Sequence, residues 1–505
     1  MKTAGRRKTF LAWGIVALMA SACATTRPAN QSFVSLRTPN FEILSALGRS
    51  QTRTLARDLE LFHAGVLAIA GLEETPDWRE PTRVLAFDDR SLGRPFGIRG
   101  RTAYFVPGVD RGTLVFRVPG GWHERASREL RADYAQRLIR GRSPRRLPLW
   151  VEEGLAQVAS GVRVGDGQVL LGASIQQHVT AVLDWRRSSF GPLLQTSDLS
   201  SASKTELERF EAESWALLHT LMFDATEGSP SARFPAAFFG QDGSGGTSWL
   251  EALVGNDGAA LADRVHRHLG QRDFALRVLQ LRGWDWEKLE LEPVSPARAR
   301  VLLGDLADAL GRERLAADLL ERALSEETGR EGAAEARALA TLAWIRLDRF
   351  EEAESLLGQA LAAAEDDAKV RSIAGSVYAR AAANRETADE RSSLLRAARE
   401  HLRAAHALRP SSADPLLELA RTHLVDGEDL AAALELAESA AMRRPGSLEI
   451  DLVRARLEAK RGRRTAARLL AQEVASRSGW APLRQQAREL LEALERDRGR
   501  PGRDA

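Results

Sequence analysis

The residues whose types and spacing bear on chemistry lie in one stretch, 128–160, reading RELRADYAQRLIRGRSPRRLPLWVEEGLAQVAS. Its acidic groups of interest are Asp133, Glu152 and Glu153. A helix-borne zinc site needs two His at i and i+4, because only that spacing brings two ring nitrogens to one ion from one helix face. No pair in this chain has it. His123-Glu124 is followed at position 127 by Ser, His266 and His268 alternate, and His401 and His406 are five apart. His219 stands alone on an apolar helical segment, where a His is more often a core residue than a ligand. Phosphate-binding glycine loops, dinucleotide fingerprints and G-x-S-x-G elbows are absent from the sequence.

Two helices must position these groups. In the first, Leu130, Tyr134, Leu138 and Ile139 follow a helical period, and Gly141 and Pro144 stop it. Pro148 opens the second, whose apolar side carries Trp150, Leu155 and Val158, with Glu152 and Glu153 in its first turn.

This pairing resembles the gluzincin metallopeptidases, and within them the bacterial peptidase MA-like group. Their zinc site is a helix bearing H-E-Y-x-H and a second helix reading P-x-W-x-x-E-G-x-A. Pro148, Trp150, Glu153, Gly154 and Ala156 match the second motif, whereas Ala132-Asp133-Tyr134-Ala135-Gln136 stands at the first. The resemblance implies that Ala132 and Gln136 replace both His ligands, that Asp133 replaces the general-base Glu, and that Glu153 keeps the third ligand position. A later segment, Phe210 to His219, resembles the family's F-Y-A-x-S-W-A-L-x-H, with Glu211 replacing a Tyr suited to an oxyanion. The expectation is an α+β gluzincin-like domain, with a small mixed sheet and helices, that has lost peptidase chemistry and holds no cofactor. The alternative is a zinc metallopeptidase with an atypical site drawn from Asp133, Glu153, His123 and His219.

With 505 residues, 44% of them hydrophobic, the chain has length for two to four domains with real cores. The 72 basic and 69 acidic residues nearly balance, which argues against a cationic nucleic-acid arm. One cysteine, Cys23, excludes internal disulfides. It follows a basic start and an apolar run from 10 to 20 that is short for a bilayer span. This resembles a bacterial lipoprotein signal, 1–22, and implies acylation of Cys23, a tether over 23–32, and an envelope protein. Ala24 after the cysteine implies the outer membrane, facing the periplasm.

The gluzincin-like domain is expected over 33–290. Strands are predicted over 32–45, 82–87, 102–106 and 113–118, a helix over 51–70, a hairpin over 162–171, loops over 172–205 and helix over 259–289. The strand 113–118 reads either as a sheet edge able to capture an extended peptide or as one arm of an ordinary hairpin. Residues 291–295 read as a linker. From 296 to 495 the composition turns to Ala, Leu, Arg and Glu with a period near 34 residues, which resembles tetratricopeptide repeats; 496–505 is a polar tail. Such an all-α solenoid implies a protein or peptide partner in its groove. Arg298, Arg337, Arg371 and Arg421 lie in or near first helices and are candidates to face it, or else ordinary exposed charge.

Overall fold

The computed structural model describes residues 32–73, 80–87, 96, 103–117, 127–143, 146–165, 167–185, 190–225, 258–271, 273–280, 286–325 and 349–496. Cys23, His123 and Arg337 lie outside them. The chain opens with strands β1 (Phe33–Arg37) and β2 (Phe41–Ser45), then helix α1 (Arg49–Ala70), β3 (Thr82–Phe87), β4 (Ala103–Val106) and β5 (Thr113–Arg117). The two central helices follow as α2 (Ser127–Arg142) and α3 (Leu149–Ser160). After them come β6 (Arg163–Gly165), β7 (Gln168–Leu171), α4 (Gln176–Asp184), α5 (Gly191–Gln195) and α6 (Lys204–Phe223). Helix α7 (Gly258–Leu269), β8 (Arg277–Gln280) and β9 (Glu292–Val294) complete the N-terminal part.

The larger sheet is mixed, in the order β4-β5-β3-β2-β1-β9. Strands β2, β3 and β5 run parallel, and β1, β4 and β9 pair antiparallel to their neighbours. Strand β5 is interior and forms an antiparallel hairpin with β4, in keeping with the hairpin reading of 113–118; the edges among the described strands are β4 and β9, so the alternative reading of 113–118 as a sheet edge does not hold. The segment read as a linker forms β9, paired to β1. The hairpin over 162–171 gains a third strand, β8, inside the stretch expected to be helical. The stretch read as loops holds α4 and α5.

Strand alternation sends side chains from the larger sheet into two cores. Ile43, Val84, Phe105 and Leu114 pack with α1, α2 and α3 through Leu59, Phe62, Tyr134 and Trp150. Their neighbours Leu44, Leu85, Tyr104 and Val115 pack instead with Leu303, Leu306 and Ala307 of the next helix in the chain. That helix, α8 (Pro296–Ala309), starts a series of antiparallel hairpins. It is followed by α9 (Glu313–Ser325), α10 (Phe350–Ala363), α11 (Ala368–Ala383) and α12 (Ala388–Leu408). The series continues through α13 (Asp414–Asp426), α14 (Leu430–Arg443), α15 (Leu448–Lys460) and α16 (Arg464–Arg477), and α17 (Ala481–Arg496) closes the stack. Small residues set the spacing: a Cβ on Gly304 would lie 2.8 Å from Leu320, and one on Gly375 would overlap Leu402. Ala353, Leu357 and Ala360, and then Ala398, Leu402 and Ala405, are buried at their predicted repeat positions. Helix α12 runs to 21 residues. No helix among the described residues is long and apolar enough to cross a membrane.

Candidate functional site

Helices α2 and α3 bring the expected positions together. Trp150, Leu155 and Val158 bury α3, and Gly154 allows α6 to pass close, since a Cβ there would stand 2.6 Å from the Ser214 carbonyl. Tyr134 ties α2 to α1 through a 2.7 Å hydrogen bond between its hydroxyl and His63 Nδ1. With the backbones so held, Gln136 Nε2 donates to Glu153 Oε2 at 2.6 Å, and Gln157 Nε2 donates to Glu153 Oε1 at 2.9 Å. His178 Nε2 in turn lies 3.2 Å from Gln157 Oε1. Burial lowers the His178 pKa to about 4, so the ring is neutral and this nitrogen is the donor.

Two carboxyls here, Glu153 and Glu211, hold their protons more tightly than usual. Burial pushes the Glu153 carboxyl up. Burial, with the charges of Glu153 and Glu129 next, pushes Glu211 up to about 8. Ala132 presents a buried methyl, and half-buried Asp133 lies on the same stretch of helix.

A zinc ion at this place would need donors beside Glu153. Position 132 has none, and the amide at 136 turns its N–H onto the carboxylate. Both Glu153 oxygens are already accepting hydrogen bonds. The residues present do not fit a zinc centre, and among the described residues no group of three or more His, Cys, Asp or Glu could hold a metal ion. His219 is not part of the cleft. Its Nδ1 lies 2.9 Å from His268 Nε2 and its Nε2 3.0 Å from the Gly172 carbonyl, among Trp215, Phe223 and Phe274. Burial drops its pKa to about 3. This removes it from the atypical ligand set proposed from sequence.

The arginines expected to face the groove are held locally. Arg371 donates to the Glu365 carbonyl at 2.8 Å and contacts His401; Arg421 pairs with Glu418 one turn earlier. Arg298 reaches only to 3.9 Å from Glu42. The stack is joined to the N-terminal part by other charges. Arg83 meets Asp305 at 2.5 Å, Arg146 meets Asp451 at 2.7 Å, and Arg409 pairs with Glu80. Asp110, in the turn between β4 and β5, accepts from the Ala413 N–H at 2.9 Å and from the Ser412 hydroxyl. It thereby caps α13, whose own N-cap, Ala413, has no side-chain acceptor. Arg444 closes on the same carboxylate at 3.1 Å.

The most deeply buried of these contacts adjoins the cleft. Glu152 is 4% exposed and takes Arg140 on Oε1 and Arg477 on Oε2, each at 2.6 Å. Burial acts to raise its carboxyl, and the two guanidinium groups more than offset that, holding it below the usual range. Arg477 also donates to the Leu147 carbonyl at 2.9 Å. Sequence reasoning missed this set. Glu152 and Arg477 are 325 residues apart, and no local pattern marks either as a partner of the other. Between sheet and stack lies a cavity of about 520 Å³, whose lining mixes Arg37, Arg111 and Lys369 with Glu42, Glu80 and Asp414.

No family model matches the chain, and no curated protein matches it. Among solved structures it is similar to two tetratricopeptide-repeat proteins. One is a thermophilic TPR protein, TTC0263 of Thermus thermophilus, at 21% identity over 39% of this chain and 99% of that one, with a TM-score of 0.35. The other is YrrB, described as a TPR protein with an unusual peptide-binding site, at 16% identity over 38% of this chain and 92% of that one, with a TM-score of 0.26.

Proposed function

We propose that this chain is a binding protein of the bacterial cell envelope, in which a gluzincin-like domain without peptidase chemistry is joined to a tetratricopeptide-like stack. The observation that carries the reading is the state of Glu153. Its two oxygens are satisfied by Gln136 and Gln157, with an amide where a second imidazole ligand would stand. Such a site lacks the means to polarise a peptide bond. Partners of this reading are proteins or peptides, with no nucleic acid, and attachment to the outer membrane is through acylated Cys23, which lies outside the described residues.

Zinc content tests the first half. Purified protein dialysed against zinc should hold far less than one ion per chain, and Glu153→Ala should not change that. Stoichiometric zinc lost on that substitution would overturn the proposal. Cys23→Ala should move the protein from the membrane to the soluble fraction; unchanged membrane retention would refute the anchor.

A further inference from the structure

The cleft beside α2 is not open. The turn joining α16 to α17, residues 478–480, lies in it. A Cβ on Gly479 would overlap Asp133 Oδ1 in its present rotamer, so a side chain here would have to displace the half-buried Asp133 carboxylate. Phe105 and Pro107 at the β4 edge, Gln136 on α2, and Trp480 and Leu483 of the stack together line the remaining space, about 50 Å³. Trp480 packs against the sheet core on one side and the terminal helices on the other. Arg477, just before the turn, is anchored on Glu152 and the Leu147 carbonyl. The segment therefore makes three different contacts in order: a guanidinium on a buried carboxylate, a glycine against Asp133, and an indole beside the outer sheet edge.

We propose that this cleft is a peptide-recognition surface held shut by a ligand built into the chain, and that it accepts peptides with a basic residue, a small residue and an aromatic residue in the spacing of Arg477, Gly479 and Trp480. The proposal rests on reading the cleft as a binding surface, and it names the partner chemistry of that surface. Complementarity supplies the argument. Buried Glu152 takes a second cation beside Arg140, Asp133 favours a small residue against it, and β4, one of the two edge strands of the larger sheet, offers apolar surface at Phe105. The clamp around the cleft decides access. Gly446 rests on the Arg140 backbone, and Asp198 accepts from Gln472 and Ser476, so the end of the stack leaves or stays as a unit.

The test uses the full chain with Cys23→Ala, so that introduced thiols have no competitor. A Cβ at 479 lies 3.3 Å from Asp133 Cγ, within reach of a disulfide between Asp133→Cys and Gly479→Cys. The probe is a fluorescein-labelled peptide of residues 473–483, with a scrambled peptide as control. Oxidation should lock the turn and abolish binding, and reduction of the same protein should tighten it at least tenfold. Trp480→Ala, checked for folding by circular dichroism, should also bind at least tenfold tighter than the oxidised lock. Equal affinity of the oxidised and reduced forms, equal binding of the scrambled peptide, or a disulfide that does not form would each overturn the proposal. The zinc measurement is indifferent to these outcomes, so failure here is distinct from failure of the binding-protein reading.

Discussion

Arg477→Met removes one cation from Glu152 and preserves most of the side chain's volume. Breaking a buried pair costs about 3–5 kcal/mol when the partner is left uncompensated. Glu152 keeps Arg140, which places the loss toward the lower end, and the vacated Leu147 carbonyl adds about 1 kcal/mol. The expected effect on the transition that releases the stack is about 4 kcal/mol at pH 7. Its pH dependence follows from Glu152. The folded carboxyl is held low, so its stabilisation is present above its unfolded value of 4.5 and fades as pH falls through the depressed folded value. In the variant the carboxyl titrates higher, so the deficit relative to wild type should be largest at neutral pH and smaller near pH 4. Urea unfolding at both pH values, followed by tryptophan fluorescence, measures this, and a double-mutant cycle with Glu152→Gln isolates the pair. A loss below about 0.5 kcal/mol at pH 7, additive with Glu152→Gln, would refute the clamp.

Other consequences are open to measurement. Trp150→Ala should destabilise the N-terminal part by about 3–5 kcal/mol, because the indole is almost wholly buried; unchanged thermal melting would contradict that placement. Gly154→Ala should cost about 1–3 kcal/mol in urea unfolding, since the added methyl meets the Ser214 carbonyl, and a neutral result would mean that α3 and α6 can part freely. Glu211 titrates near 8 in the fold against 4.5 unfolded, so its neutral form stabilises below pH 4.5 and that advantage is gone above pH 8. Glu211→Gln should therefore raise stability by about 2 kcal/mol at pH 9, discounted for partial exposure, and change little at pH 5. Equal effects at both pH values would exclude a protonated Glu211. His219, neutral in the fold to about pH 3, should make stability fall between pH 6.5 and 4.5, and His219→Asn should flatten that slope. An unchanged slope would remove His219 as its source.

The central helices were legible because their signals are local. Leu130, Tyr134 and Ile139 on one face, and Trp150, Leu155 and Val158 on the other, are all buried as their periodicity requires. Residues 113–117 were legible as a strand and as one arm of a hairpin with 103–106, whereas the second, parallel partner β3 was not legible, because an alternating pattern does not reveal how many neighbours a strand has. Residues 292–294, short and containing Pro293, gave no strand signal at all; pairing with β1 makes them one. The arginines were the hardest to rank. Most of the 72 basic residues are Arg, and nothing local distinguishes Arg371, which is held within its own hairpin, from Arg477, which clamps two parts of the chain.

Taken alone, the order of residues settled which donor atoms exist at positions 132, 133, 136 and 153, and where the strongly periodic helices such as α2 and α3 lie. Those properties depend on side-chain identity and on periods of a few residues. Only the tertiary structure decided that the sheet gives its second face to α8, that Asp110 caps a helix 303 residues away, and that the cleft is filled by 478–480. The reason is physical: each depends on two surfaces meeting, and the free energy of that meeting is written in neither surface by itself.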